Sequence, residues 1–177
     1  EMFKNYLYVS STSKQLNQYF NWFAEMVEKT LQVKGSVLDI ACNDGTQLEK
    51  FRENGWITHG IDPAKNLLEF SSKKCDAVVD DYFEESAIKK LGNIKYNAII
   101  AQNVFAHVDN NLDFLNLCKN SLKDNGKIFI QTSQANMIEN YQFDTIYHEH
   151  LSFFSTKSML ARSEEHTSEL QSRFGIS

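Results

Sequence analysis

Proline and glycine are scarce in this sequence, and cysteine is too rare to hold a fold together. One proline and seven glycines among 177 residues exclude a collagen and a Pro/Gly-rich disordered chain. Cys42, Cys75 and Cys118 are odd in number and lack CxxC or metal-site spacing, which argues against a disulfide scaffold. We therefore expect a reducing, cytoplasmic setting, and we interpret the cysteines as small residues of the core.

Long apolar runs and an excess of positive charge are also lacking. No apolar stretch approaches the roughly 20 residues needed to span a bilayer, and the first residues show no signal-peptide pattern, so we expect no membrane partner. Lys and Arg number 18 against 23 Asp and Glu, for a net charge of -5, which weighs against a nucleic-acid partner. The 42% hydrophobic and 23% charged residues are typical of one globular domain.

The two ends of the sequence differ from the rest of the domain. The chain starts at Glu1 rather than Met, which suggests a start inside a longer reading frame. Near the other end, RSEEHTSELQS (162–172) back-translates into a common short-read sequencing adapter, and the last two residues resume it. A natural polar helix is the alternative, but we expect residues 162–177 to be an artefactual tail. The natural domain would then cover residues 1–161, truncated at both ends.

Short apolar strands alternate with helices along the remaining chain. A capping-box pattern at Thr12 and Gln15 predicts a helix from Thr12 to about Gln32. A later helix is predicted from Asn111 to Leu122. The predicted strands are 36–41, 56–61, 77–79, 96–101 and 127–131. This alternation predicts βαβ units with a parallel sheet, which is the α/β class.

Acidic and small residues follow the first two predicted strands. Asp39 lies within an apolar strand, where an ionised carboxylate is costly unless it meets donors. Ala41 and Gly45 leave room for a ligand in the turn that follows. Asp62 ends the second strand, where a carboxylate can accept hydrogen bonds from both hydroxyls of a ribose. Taken singly, Asp39 also fits a structural role, and Asp62 with its following proline also fits an ordinary turn.

The turn after the third strand completes a possible nucleotide pocket. Asp80-Asp81-Tyr82-Phe83 offers an acid for an adenine amine and an aromatic ring for the base, although acids at a helix N-terminus would look the same. Ligands of open α/β sheets bind outside the carboxyl ends of the strands, so the three turns outline an adenosine pocket. A nicotinamide dinucleotide would need GxGxxG, whereas Asp44 would repel its pyrophosphate. The sulfonium of S-adenosylmethionine suits Asp39 and Asp44 better.

Several segments resemble the successive motifs of class I S-adenosylmethionine-dependent methyltransferases. They are VLDIACNDGTQL (37–48), GIDPAKN (60–66), DYF (81–83) and AQNVFAHV (101–108). YLYVSSTS (6–13) and QFDTIYHEHLSFFS (142–155) further resemble the group that methylates a carbon of nucleotide-linked keto-deoxysugars. The resemblance implies a Rossmann-like sheet of order 3-2-1-4-5. It also implies two further strands, a zinc-binding Cys-rich segment and a C-terminal domain, all outside this chain. Ala41 departs from the family, which usually has Gly there.

The resemblance also implies roles for individual residues. It assigns His150 as the general base and Glu149 as the group that orients it. An imidazole suits this role, because an unperturbed one titrates near pH 6.5. Further implied residues are Tyr147 and His107 at the sugar or its oxyanion, and Tyr6, Tyr8 and His148 at the substrate. The implied cofactor-binding residues are Asp39, Ala41, Asn43, Gly45, Asp62, Asp81, Tyr82, Phe83 and Asn103. The implied partner is a nucleotide-activated sugar.

Other interpretations of these residues stay open. The two histidines of the segment His148-Glu149-His150 could pair on a metal, but no third ligand follows at a plausible spacing, so we expect no metal. An oxygen or nitrogen acceptor, or an adenosine-binding fragment without activity, are the alternatives to carbon methylation. We interpret His59 as structural. We also assign to core packing the aromatic stripe Tyr19, Phe20 and Phe23.

Overall fold

The computed structural model of the protein describes residues 10, 13–132, 135, 141 and 150–164. Within this part of the chain, five strands alternate with six α-helices. The strands are β1 Ser36–Ile40, β2 Ile57–Ile61, β3 Ala77–Val79, β4 Tyr96–Gln102 and β5 Leu122–Gln131. The helices are α1 Lys14–Leu31, α2 Thr46–Glu53, α3 Leu68–Lys74, α4 Glu85–Lys90, α5 Asn111–Ser121 and α6 Thr156–Glu164. Short 3₁₀ turns cover Lys65–Leu67 and Phe105–His107.

The five strands form one parallel sheet in the order β3-β2-β1-β4-β5. This confirms the predicted α/β class and the order 3-2-1-4-5. Ile40, near the end of β1, is in register with Ile61 of β2 and Ala101 of β4. The carboxyl ends of these three strands therefore lie side by side, so the loops that follow them meet at one edge of the sheet.

Helices cover both faces of the sheet, and each face has its own apolar core. On one face α1 and α2 pack against the sheet through residues such as Phe23, Val27 and Phe51. On the other face α4 and α5 pack around Phe105 and Phe114. Every residue of β1 is buried, as expected for a central parallel strand covered on both sides.

Residues interpreted as structural do contribute to this packing. The side chains of Phe20 and Phe23 are buried, and so are all three cysteines, which confirms their assignment to the core. His59 is half-buried, and its Nδ1 lies 3.0 Å from the hydroxyl of the fully buried Tyr96. This contact ties β2 to β4 across the central strand, so His59 has the structural position expected for it.

Three predicted strands differ from the observed ones by one residue at one end, and two further boundaries, the starts of α1 and β5, are also wrong. Helix α1 begins at Lys14, and its cap is Ser13, whose hydroxyl oxygen accepts a hydrogen bond from Leu16 N at 3.2 Å. A serine oxygen that reaches the third amide of the helix is an effective cap, whereas Thr12 lies outside the described residues. Leu122, predicted as helical, is extended and pairs with Tyr96. Strand β5 therefore starts five residues earlier than the predicted Lys127, and a register shift accommodates the extra residues.

Two further findings concern membranes and the end of the chain. In the residues that the structure describes, no helix has both the length and the apolarity needed to cross a membrane. Helix α6 runs to Glu164, three residues into the segment 162–177 predicted to be an artefactual tail. Residues 165–177 lie outside the described part of the chain.

Candidate active site at the carboxyl edge of the sheet

The loop between β1 and α2 has an unusual backbone conformation. Ala41, Asn43 and Gly45 have φ angles of 61°, 52° and 77°. This left-handed region costs a residue with a Cβ atom about 1–2 kcal/mol, and such residues persist only where their surroundings hold them. The amide of Ala41 donates to Ile61 O at 2.8 Å. At Gly45 an added Cβ would lie 3.0 Å from the backbone of Ser71, so α3 packs directly on the loop.

Asp62, just after β2, holds the same loop from the other side. Its Oδ2 accepts a hydrogen bond from Asn43 N at 2.7 Å, and its Oδ1 accepts one from Ala64 N at 2.8 Å. Burial raises the pKa of Asp62 above its usual value, and these two backbone hydrogen bonds offset part of that rise. Because a carboxylate oxygen has more than one lone pair, Asp62 can also accept hydroxyls from a ligand.

Asp39 is a buried carboxyl group beside this loop. It pairs in register with Gly60 of β2, and 4% of its surface is exposed. Burial raises the pKa of Asp39 well above its usual range, and the neighbouring charge of Asp62 raises it further. A positively charged ligand at this edge would stabilise the ionised form. The role of Asp39 beside a cationic group stays a prediction.

Asp44 does not have the role that the sequence predicted. Its carboxylate is buried, and Lys74 Nζ of α3 lies 2.8 Å from its Oδ2. The hydroxyl of Thr46 donates to Asp44 Oδ1 at 2.8 Å. The prediction that Asp44 offers its charge to a sulfonium is therefore wrong, because Lys74 already compensates that charge. The electrostatic argument for a cationic ligand then depends on Asp39.

The turn after β3 places one acid and one aromatic ring at the surface. Asp81 Oδ2 pairs with Lys90 Nζ at 2.8 Å, and the hydrogen bond from Lys90 is the main reason that the pKa of Asp81 is lowered. Tyr82 is 41% exposed. Phe83 packs against Phe114, with ring centroids 5.1 Å apart. Of the two aromatic residues predicted to bind the cofactor, Tyr82 is thus the more accessible.

Asn103, a predicted cofactor-binding residue, follows β4, and side chains that the sequence did not indicate join this end of β4 to α1. Asn103, with φ at 56°, donates its amide to Gln131 O at 2.9 Å. Tyr19 donates its hydroxyl to Gln131 Oε1 at 3.1 Å and accepts a hydrogen bond from Gln102 Nε2 at 3.2 Å. Tyr19 was assigned to core packing. The aromatic stripe has a tyrosine at this position and phenylalanines at the other two. The extra hydroxyl was the signal that this side chain reaches a polar edge.

Two predicted catalytic histidines meet at this edge. The imidazole rings of His107 and His150 have centroids 4.8 Å apart. The amides of Leu151 and Ser152 both donate to Ala106 O, at 2.8 Å and 3.2 Å. Stacking of Phe105 on Phe154 at 4.9 Å fixes the same two segments. Residues 150–154 are therefore attached to the turn after β4, at the edge of the sheet where the predicted cofactor-binding residues lie.

The remaining predicted site residues cannot be placed in the same way. Tyr6, Tyr8, Tyr147, His148 and Glu149 lie outside the described residues, so their roles stay predictions. Among the residues that are described, no three His, Cys, Asp or Glu side chains form a group that could hold a metal ion.

Comparisons with known proteins identify the family to which this chain belongs. A family model described as "Methyltransferase domain" matches residues 12–166. C-methyltransferase NovU of Streptomyces niveus is 28% identical over 170 residues, which cover 93% of this chain and 40% of that protein. The Ubiquinone biosynthesis O-methyltransferase of Glaesserella parasuis serovar 5 (strain SH0165) is 30% identical over 106 residues, covering 54% of this chain and 44% of that protein.

Solved structures share the fold at lower sequence identity. A SAM dependent methyltransferase from Archaeoglobus fulgidus has a TM-score of 0.66 at 20% identity and covers 84% of this chain and 67% of its own. The plantazolicin methyltransferase BpumL, in complex with a pentazolic desmethylPZN analog and SAH, has a TM-score of 0.63 at 18% identity, with 88% and 63% covered. This chain spans less than half the length of either curated relative. It belongs to the methyltransferase domain family and has the fold of the S-adenosylmethionine-dependent methyltransferases.

Proposed function

We propose that this domain transfers a methyl group from S-adenosylmethionine to a carbon next to the ketone of a nucleotide-linked keto-deoxysugar. The observation that carries the proposal is the approach of His107 and His150 at the edge where β1 and β2 end. A base placed there lies at the edge of the sheet from which the loop between β1 and α2 also leaves. Similarity to a C-methyltransferase along most of the chain supports the choice of carbon as the acceptor atom.

The residues at the ends of β1 to β3 fit S-adenosylmethionine. Asp62 has lone pairs for the ribose hydroxyls, and Asp39 is a buried carboxylate that a cation would stabilise. Tyr82 offers an exposed ring for the adenine, beside the acid Asp81. When bound, the cofactor supplies an electrophilic methyl group whose bonding electron pair leaves with the sulfur. The protein's part in this transfer is alignment of the acceptor with the methyl group.

The acceptor side of the proposed reaction needs a base and a stabiliser for an oxyanion. A ring nitrogen of His150 takes the proton from the carbon next to the ketone, and the C–H electron pair becomes an enolate. His107 donates a hydrogen bond to the enolate oxygen, so the developing charge meets a donor. The enolate carbon then forms the new C–C bond, and the carbonyl is restored. Glu149 orients His150 in this proposal.

Removal of the base tests the proposal. In the His150→Ala variant we expect methyl transfer to a nucleotide-linked keto-deoxysugar to fall about 10²–10⁴-fold, the usual contribution of a general base. Exchange of the acidic carbon-bound hydrogen with deuterated water should fall in parallel. Binding of S-adenosylhomocysteine, measured by calorimetry, should stay within a few-fold. His59→Gln removes an imidazole outside the site and should keep the exchange rate.

Oxygen methylation is the second candidate function. It is favoured by the 30% identity to an O-methyltransferase over part of the chain, and the same two histidines could deprotonate a hydroxyl. Carbon-13 labelling of the donor methyl group separates the candidates, because C-methyl and O-methyl products differ in chemical shift. Turnover by His150→Ala at the wild-type rate, or an O-methyl product, would contradict carbon methylation.

A further inference from the structure

An ion pair joins the loop between β1 and α2 to the end of α3, and its carboxylate is buried. Lys74 Nζ is 2.8 Å from Asp44 Oδ2 and 2.6 Å from Thr46 Oγ1. The side chain of Asp44 is 1% exposed and that of Lys74 is 19% exposed. Asp44 Oδ1 also accepts hydrogen bonds from the amide and the hydroxyl of Thr46. The first turn of α2 and the last residue of α3 are thus joined through Asp44.

This ion pair acts on a strained segment of backbone. Asp44 stands between Asn43 and Gly45, and both of those residues have left-handed φ angles. Asp62 holds the loop at Asn43 N, whereas Lys74 contacts it at Asp44 and Thr46. From Asp44 to Thr46 the loop is held by the ion pair with Lys74, by a hydrogen bond from Gly45 N to Cys42 O at 2.9 Å, and by the close packing of Gly45 on Ser71 and Lys74. Loss of the lysine charge would leave a buried carboxylate without its cation, which strongly favours a different loop conformation.

We propose that Lys74 is a positioning residue for the cofactor: through Asp44 it holds the loop between β1 and α2 in the conformation that binds S-adenosylmethionine. The inference rests on the proposed function, because it requires the cofactor to bind at this loop. Lys74 Nζ contacts Asp44 and Thr46, so in this proposal it acts on the cofactor through the loop. Its effect is on preorganisation, since the apparent dissociation constant rises as the binding-competent fraction of the protein falls.

Calorimetric titration of S-adenosylhomocysteine into charge variants of α3 tests the inference. In Lys74→Met we expect the dissociation constant to rise at least tenfold, measured at a temperature where every variant is folded. In Lys74→Arg the charge is kept and the affinity should recover to within about threefold of the wild type. The matched control is Lys73→Met, which removes the neighbouring charge of the same helix. Lys73 pairs with Glu69 at the surface, so the affinity should stay within twofold.

Melting temperatures separate positioning from stability alone. The double variant Asp44→Asn with Lys74→Met leaves no buried charge uncompensated, so we expect its Tm to recover while its affinity stays at least fivefold weaker than wild type. Should Lys74→Met not fold, this double variant carries the test. Wild-type affinity in either variant, with only Tm lowered, would overturn the inference and leave the proposed function standing. A wild-type protein that binds no S-adenosylhomocysteine would overturn both.

Discussion

Replacement of Ala41 by glycine should strengthen cofactor binding and slightly stabilise the protein. Ala41 has φ at 61°, and a residue with a Cβ atom costs about 1–2 kcal/mol in this region. Glycine removes that cost but adds about 0.5–1 kcal/mol of backbone entropy to the unfolded chain. The expected gain is therefore about 0.5–1 kcal/mol, which raises Tm by about 1–4 °C in a domain of this size.

The effect on binding comes from the methyl group itself. Ala41 is half-buried and lies in the loop proposed to hold the cofactor, where an extra methyl group crowds a ligand by about 1–3 kcal/mol. We take a value near the lower end, because the loop is partly open. The dissociation constant of S-adenosylhomocysteine should then fall about tenfold in Ala41→Gly, equivalent to about 1.4 kcal/mol. Isothermal titration calorimetry measures this change directly.

A second left-handed residue provides the matched control. Gln32 has φ at 55° and caps the C-terminus of α1, where it is exposed. Gln32→Gly should give a similar rise in Tm and leave the affinity unchanged. If Ala41→Gly shows the same affinity as Gln32→Gly, the Cβ of Ala41 does not face the cofactor, and the reasoning about crowding is refuted.

Three further predictions concern the packing and pH dependence of the fold. Gly60→Ala places a Cβ 2.6 Å from Cys42 Sγ and should lower the free energy of unfolding by about 2 kcal/mol. In urea unfolding, the double variant with Cys42→Ala should regain part of that loss, and additive losses would contradict the contact. Burial lowers the pKa of His59 below its ordinary 6.5, so the unfolded state takes up the proton first. The free energy of unfolding should therefore fall as pH drops below about 6.5. It should fall less steeply with pH in His59→Gln, and equal slopes in the two proteins would refute this. Ser13→Ala removes the cap of α1 and should cost about 1 kcal/mol, measured by thermal unfolding against Thr30→Ala.

The strands and their order could be predicted because their signals are local or shared by a family. Each predicted strand is a short apolar run bounded by turn residues, and the order 3-2-1-4-5 came from the resemblance to methyltransferases. Boundaries were less predictable. Ser13 and Thr12 are adjacent and chemically alike as caps, and only the hydrogen bond to Leu16 N distinguishes them. The early start of β5 depends on pairing of Leu122 with Tyr96, which no local pattern encodes.

The candidate site shows the same division between local and distant information. Asp39 was predicted from its place within an apolar strand and Asp62 from its place at a strand end, and the structure brings both to one edge. Asp44 was misinterpreted because its partner, Lys74, is 30 residues away and on another helix. The hydroxyl of Tyr19 finds Gln131 across 112 residues. Contacts of this kind depend on tertiary packing, so a pattern of residue types along the chain does not reveal them.

The position of β1 in the sheet has a consequence for synthesis of the protein on the ribosome. Val37 of β1 is paired with Ala98 of β4, 61 residues further along the chain. At about 5–20 residues per second, β4 follows β1 out of the ribosome after about 3–12 s. During that interval the backbone N–H and C=O groups on the β4 side of β1 have no strand to pair with, so an edge that is central in the folded sheet is exposed. The state most exposed to aggregation is therefore the nascent chain before β4 emerges, and chaperone demand should be greatest there.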